Sequence, residues 1–131
     1  TTWSVKLFGF EGDLAADLTA CDARDARGAS VELELTFAAD HPFSPPFLRV
    51  LYPRFRFHTG HVTIGGSICM EVLTKSGWRP ANDVESVLIQ VRAELMAGGG
   101  RVDMANRNYP SYDLHEAKAA FTRVAAHHGW N

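Results

Sequence analysis

Val31, Leu33, Leu35 and Phe37 alternate with Glu32, Glu34 and Thr36, so a strand here turns one face to the core and carries charge to water on the other. Trp3, Val5 and Leu7 alternate with Ser4, Lys6 and Phe8 and predict an earlier strand ending at Gly9. Phe47 to Tyr52 predicts a third, which Pro53 ends or places at a sheet edge. Between the first two, the acidic, alanine-rich stretch Glu11 to Ser30 repeats Leu14, Leu18 and Cys21 at helical spacing behind a candidate cap at Asp13. It predicts a short helix in an inserted connection, with Cys21 a buried structural thiol on its apolar face. Later the period lengthens. Val84, Val87, Leu88, Val91 and Leu95 share one helical face behind Asn82 and Glu85, a capping-box pair, until Gly98-Gly99-Gly100 stops the helix. Asp113 with Glu116 leads a last helix whose Ala117, Ala120, Phe121 and Val124 face inward, and His127-His128 complement its dipole before Gly129. Strands early and helices late predict an α+β fold with a small antiparallel meander.

The connections carry their own signals. His41-Pro42-Phe43-Ser44-Pro45-Pro46 holds three prolines, which restrict the backbone and predict an extended, rigid loop. From Arg54 to Ile68 the pattern is irregular, broken by Gly60, Gly65 and Gly66. At 131 residues the chain is read as one domain, 1–131, able to bury one core. Its formal charge of -2 comes without any long Lys/Arg run, so neither nucleic acid nor membrane is an expected partner. Two cysteines, Cys21 and Cys69, are too few for a secreted disulfide scaffold and suit a reducing compartment, cytoplasmic or nuclear. The absent initiator Met predicts a trimmed piece of a longer chain.

Chemistry concentrates between His58 and Pro80. Cys69 follows the Gly65-Gly66 pair on a loop-like segment and precedes Trp78-Arg79-Pro80, which predicts a thiol presented rather than buried. Ile68, Val72 and Leu73 read as anchors for that segment. His58 and His61 beside Cys69 lack a fourth ligand and paired-cysteine spacing, so no metal is expected. Gly65-Gly66 has no phosphate-loop pattern around it, and no cofactor is expected.

Taken in order, Trp3 in the first strand, the His41-Pro42-Phe43-Ser44-Pro45-Pro46 loop, Gly66-Ser67-Ile68-Cys69 with Leu73, and Trp78-Arg79-Pro80-Ala81 before a helix resemble the ubiquitin-conjugating enzymes. These carry ubiquitin as a thioester on a cysteine, within an ATP-dependent pathway. The run from Ile68 to Trp78 and the closing Gly129-Trp130 are most similar to the Q-type subgroup. The resemblance covers nearly the whole chain and implies a ubiquitin-conjugating (UBC-like) fold with Cys69 as the nucleophile. It implies ubiquitin, a ubiquitin-activating enzyme and ubiquitin ligases as partners, with Phe43, Pro80 and Ala81 on the two loops that meet ligases or the activating enzyme. Counted from Trp78, it puts Asp103 near the family's acidic gate position.

Two departures accompany it. The family's first helix, which precedes the Trp strand and helps dock the activating enzyme, has no counterpart in these residues. The family's His-Pro-Asn triplet, whose Asn supports the transition state, is also missing, as it is from Q-type members. Counting back from Cys69 puts His61 at the Asn position, whereas matching Phe57-His58 to the family's aromatic-His pair puts Gly60 there; both registers stand. Acyl transfer to an amine develops negative charge on oxygen that some donor must hold. A His61 ring N–H, or backbone N–H groups near Gly65-Gly66, are the expected substitutes. Two other functions stay open: a catalytically inactive module of the same fold that binds ubiquitin or a partner, and a cysteine hydrolase built on Cys69 and His61, for which no orienting Asp or Asn is legible.

Overall fold

Alternating glutamates on the second predicted strand find a cation on either side, because that strand is central. In the computed structural model, which describes residues 1–25, 28–106 and 112–130, β1 (Thr2–Leu7), β2 (Val31–Thr36) and β3 (Phe47–Tyr52) form an antiparallel sheet in that order. Glu32 meets Lys6 of β1 at 3.7 Å and Glu34 meets Arg49 of β3 at 2.9 Å. On the opposite face Val31, Leu33 and Leu35 are buried, joined by Leu48, Val50 and Tyr52 of β3. Trp3 departs from the simple inward reading. It is 51% exposed, because β1 is an edge strand, and its ring packs edge-on against Phe37 with centroids 4.9 Å apart.

The inserted connection between β1 and β2 does form a helix, α1 (Gly12–Asp25), and buries Leu14, Leu18 and Cys21 in the core. Cys21 Sγ contacts Met104 Sδ at 3.6 Å, as a small apolar filler would. The helix is also locked to a segment 84 residues further along the chain. Asp17 accepts hydrogen bonds from Arg101 Nε at 2.8 Å, Arg101 Nη2 at 3.2 Å and the Val102 N–H at 3.0 Å. Those donors hold its carboxyl below the usual carboxylate range, the Arg101 bonds contributing most.

Helix α2 (Val84–Ala97) buries Val87, Val91 and Leu95. Its cap is Asp83 rather than Asn82: Asp83 Oδ1 accepts from the Ser86 N–H at 3.2 Å, whereas Asn82 Oδ1 accepts from the Arg79 N–H at 2.8 Å and closes the preceding turn. Helix α3 (Leu114–His128) is capped by Asp113, which accepts from the Glu116 N–H, and ends at Gly129 in the left-handed region, φ 75°. Its inner face buries Ala117, Ala120 and Ala125, with Phe121 and Val124 half-buried.

The proline loop is turned, not extended. The His41 N–H donates to the Ala38 carbonyl at 3.0 Å and the Phe43 N–H to the Asp40 carbonyl at 2.8 Å, while Ser44 Oγ donates to Asp40 Oδ2 at 2.8 Å. Successive turns satisfy the few N–H groups the prolines leave. The expected α+β architecture with a small antiparallel meander stands. No helix among the described residues is long and apolar enough to cross a membrane.

Candidate functional site

A small hairpin positions the cysteine. Val62 pairs with Ile68, the Thr63 N–H donates to the Ser67 carbonyl at 2.9 Å, and the Gly66 N–H closes the turn onto the Thr63 carbonyl at 2.9 Å. At the open end the Cys69 N–H donates to the His61 carbonyl at 2.8 Å, so these two residues face each other across the hairpin. The Ile68 N–H donates to the Leu48 carbonyl at 3.0 Å and the Val50 N–H to the Gly66 carbonyl at 2.7 Å, fastening the hairpin to β3. Both glycines are there for closeness: a Cβ on Gly65 would collide with the Glu116 carbonyl oxygen, and one on Gly66, at φ +93°, would sit 2.5 Å from the Tyr112 ring.

Cys69 is not openly presented. It is 5% exposed, and that burial pushes its thiol up from the usual range. It nevertheless lies in the walls of two cavities of about 520 Å³ and about 310 Å³ that share His61, Cys69 and Trp130. The larger runs toward α3 and is lined by His58, Arg123, His127 and His128; the smaller runs toward α2 and is lined by Glu71, Gln90 and Glu94. Cys69 thus stands where the two clefts meet, largely screened from bulk water.

Of the donors expected for an oxyanion, the Gly66 N–H and a neutral His61 ring are engaged elsewhere. The Cys69 and Gly66 N–H groups belong to the hairpin. His61 Nε2 lies 3.1 Å from Glu94 Oε2; a carboxylate only accepts, so Nε2 carries the hydrogen, and a neutral ring has no second N–H to offer. The His61 backbone is left-handed at φ 62°, and its ring rests against Gly98, where a Cβ would come within 2.7 Å of Cδ2.

Asp103 lies elsewhere. Its N–H donates to the Arg54 carbonyl at 2.8 Å, its Oδ2 accepts from Asn106 at 3.2 Å, and it lines a separate cavity with Arg54 and Tyr112, not those at Cys69. Phe43 is 72% exposed and so does not pack beneath its own loop; Pro80 and Ala81 are exposed as well. Residues not singled out from sequence are Glu94 and Glu71, the carboxylates at the thiol's cavities. Trp130 was visible only as part of a terminal Gly-Trp. Its ring stacks on His128 with centroids 4.4 Å apart. Among the described residues no three His, Cys, Asp or Glu side chains gather as a metal-binding group.

The family model described as "Ubiquitin-conjugating enzyme" matches residues 27–127. The chain is 36% identical to ubiquitin-conjugating enzyme E2 Q1 of Homo sapiens over 132 residues, covering 98% of this chain and 31% of that protein. It is 39% identical to a Homo sapiens protein named as like that Q-type enzyme, Q-like protein 1, covering 98% of this chain and 79% of that protein. With the Caenorhabditis elegans ubiquitin-conjugating enzyme E2 25 the identity is 32%, over 98% of this chain and 34% of the relative.

Proposed function

Because the chain belongs to the ubiquitin-conjugating enzyme family, we propose that it accepts ubiquitin from an activating enzyme as a thioester on Cys69 and passes it to a lysine or to a ligase. In the first step Cys69 Sγ loses its proton and attacks the carbonyl carbon of the incoming thioester; a new S–C bond forms and the activating enzyme's thiolate leaves. In the second an amine nitrogen attacks the same carbon, the C–S bond breaks, and Cys69 leaves as a thiolate that recovers a proton. The raised thiol pKa slows the first deprotonation and favours reprotonation after the second.

The observation that carries this reading is the placement of Cys69 in the walls of both cavities, where an extended tail and an acceptor have separate approaches to one sulfur. Phe43 and Pro80-Ala81, exposed on adjoining loops, suit a low-entropy docking platform for ligases. Two free cysteines suit a cytoplasmic or nuclear setting.

Incubation with activating enzyme, ubiquitin and ATP tests it. A band on a gel run without reductant that is lost with thiol, and lost in Cys69→Ala, is the expected result. No band from the wild type points instead to an inactive ubiquitin-binding module. A second reading, a cysteine hydrolase, gains one observation: Glu94 supplies His61 with the orienting carboxylate that the sequence did not show. Cleavage of a linear ubiquitin fusion would establish that reading.

A further inference from the structure

Sequence separates Glu94 and His61; the fold puts their Oε2 and Nε2 atoms 3.1 Å apart on the wall of the cavity that also holds Cys69. Both side chains are about two-fifths exposed, at 40% for His61 and 39% for Glu94, so the pair faces the cleft. With Nε2–H committed to the carboxylate, the lone pair of neutral His61 lies on Nδ1, which has no hydrogen-bond partner among the described residues. Such a ring is a proton acceptor, fixed in tautomer and orientation by the group behind it.

The two cavities also differ in charge. Toward α3 the ionisable lining residues besides His61 and Cys69 are His58, Arg123, His127 and His128; toward α2 they are Glu71 and Glu94. An ammonium group is drawn to the second and repelled by Arg123 in the first. We propose that the acceptor amine enters from the α2 side, that His61 Nδ1 takes its proton as it attacks the Cys69 thioester, and that Glu94 is the positioning residue that holds His61 for this and stabilises the imidazolium formed.

The inference rests on Cys69 being the thioester residue. Its balance is simple: the ammonium gives one proton to His61 Nδ1, N–C forms as the freed amine attacks, C–S breaks, the second N–H proton goes to the departing Cys69 thiolate, and the imidazolium returns the first proton to water. No donor beyond these groups is needed.

The test uses preformed thioester of wild type and Glu94→Gln in single-turnover discharge. Gln keeps the shape and an acceptor for Nε2–H but removes the charge that supports the imidazolium. Discharge to free lysine, which arrives protonated, is expected to slow about tenfold or more. Discharge to hydroxylamine, largely unprotonated at neutral pH, should stay within about twofold, and so should charging. Equal slowing toward both nucleophiles would mark a structural effect and overturn the proposal, as would unchanged lysine discharge or loss of charging in Glu94→Gln alone. A wild type that never charges would instead remove the thioester reading beneath it.

Discussion

Trp78 Nε1 donates a hydrogen bond to the Pro42 carbonyl oxygen at 2.7 Å, tying the loop before α2 to the proline loop before β3. Trp78 is buried while Phe43, one residue beyond its acceptor, is 72% exposed. The two residues therefore predict opposite phenotypes. Trp78→Phe removes the donor and leaves a part-buried carbonyl unpaired, at about 1–2 kcal/mol, read as a lower urea midpoint. Phe43→Ala should change stability by less than about 0.5 kcal/mol and show its effect in slower ligase-stimulated discharge of the thioester.

Gly66 and Gly99 both adopt positive φ, +93° and +68°, but only Gly66 is crowded: its Cβ would lie 2.5 Å from the Tyr112 ring, while nothing lies within 4 Å of one on Gly99. Gly99→Ala then bears the conformational cost alone, about 1–2 kcal/mol. Gly66→Ala adds overpacking against a ring whose hydroxyl accepts from the Phe55 N–H at 3.0 Å, so its cost should be larger by about 1–3 kcal/mol. Equilibrium denaturation of the two variants side by side checks the difference.

Acid should loosen the clasp between α1 and the segment after α2. Arg101 holds the folded-state pKa of Asp17 below its ordinary value, so the unfolded chain binds this proton more readily than the folded one. The stabilisation is then fully present above the unfolded pKa, near 3.9, and is lost as pH falls through the lower folded value. Asp17→Asn should be less stable than wild type at pH 7, with the gap between their thermal midpoints closing once the pH is taken below about 4.

Much of this architecture was legible because its elements are defined by their own repeats. The alternation from Val31 to Phe37 and the helical faces through Val91 and Ala120 state their burial locally, and the ordered motifs around Cys69 identified the family. What was not legible depends on residues that meet only after folding. Asn82 and Asp83 are equally good caps, and only the turn that gives Asn82 to the Arg79 N–H decides between them. Glu94 reads as one more polar position on α2 until the hairpin brings His61 to it. Asp103 stands at the counted distance from Trp78, yet counting gives no direction, and the chain carries it to another cavity. The glycines before Cys69 suggested exposure; they instead allow a close approach of the hairpin to α3 and Tyr112.

The burial of Cys69 predicts how its sulfur behaves before any partner arrives. No cation shifts its titration downward; desolvation alone acts and raises the pKa, so at pH 7 less thiolate is present than on a free cysteine. Alkylation by iodoacetamide, which requires the thiolate, should be slower at Cys69 than at a cysteine in an unstructured peptide at neutral pH, and its rate should keep rising with pH after the peptide's has levelled off. Cys21, 2% exposed in the core behind α1 and lining neither cavity at Cys69, should react more slowly still until the protein unfolds. Site-resolved mass spectrometry across pH 6 to about 10 separates the two thiols. A Cys69 rate that levels off earlier than the peptide's would mean that a positive charge, not burial, governs this sulfur in solution; the side chains positioned to supply one are His58, His61, Arg123, His127 and His128.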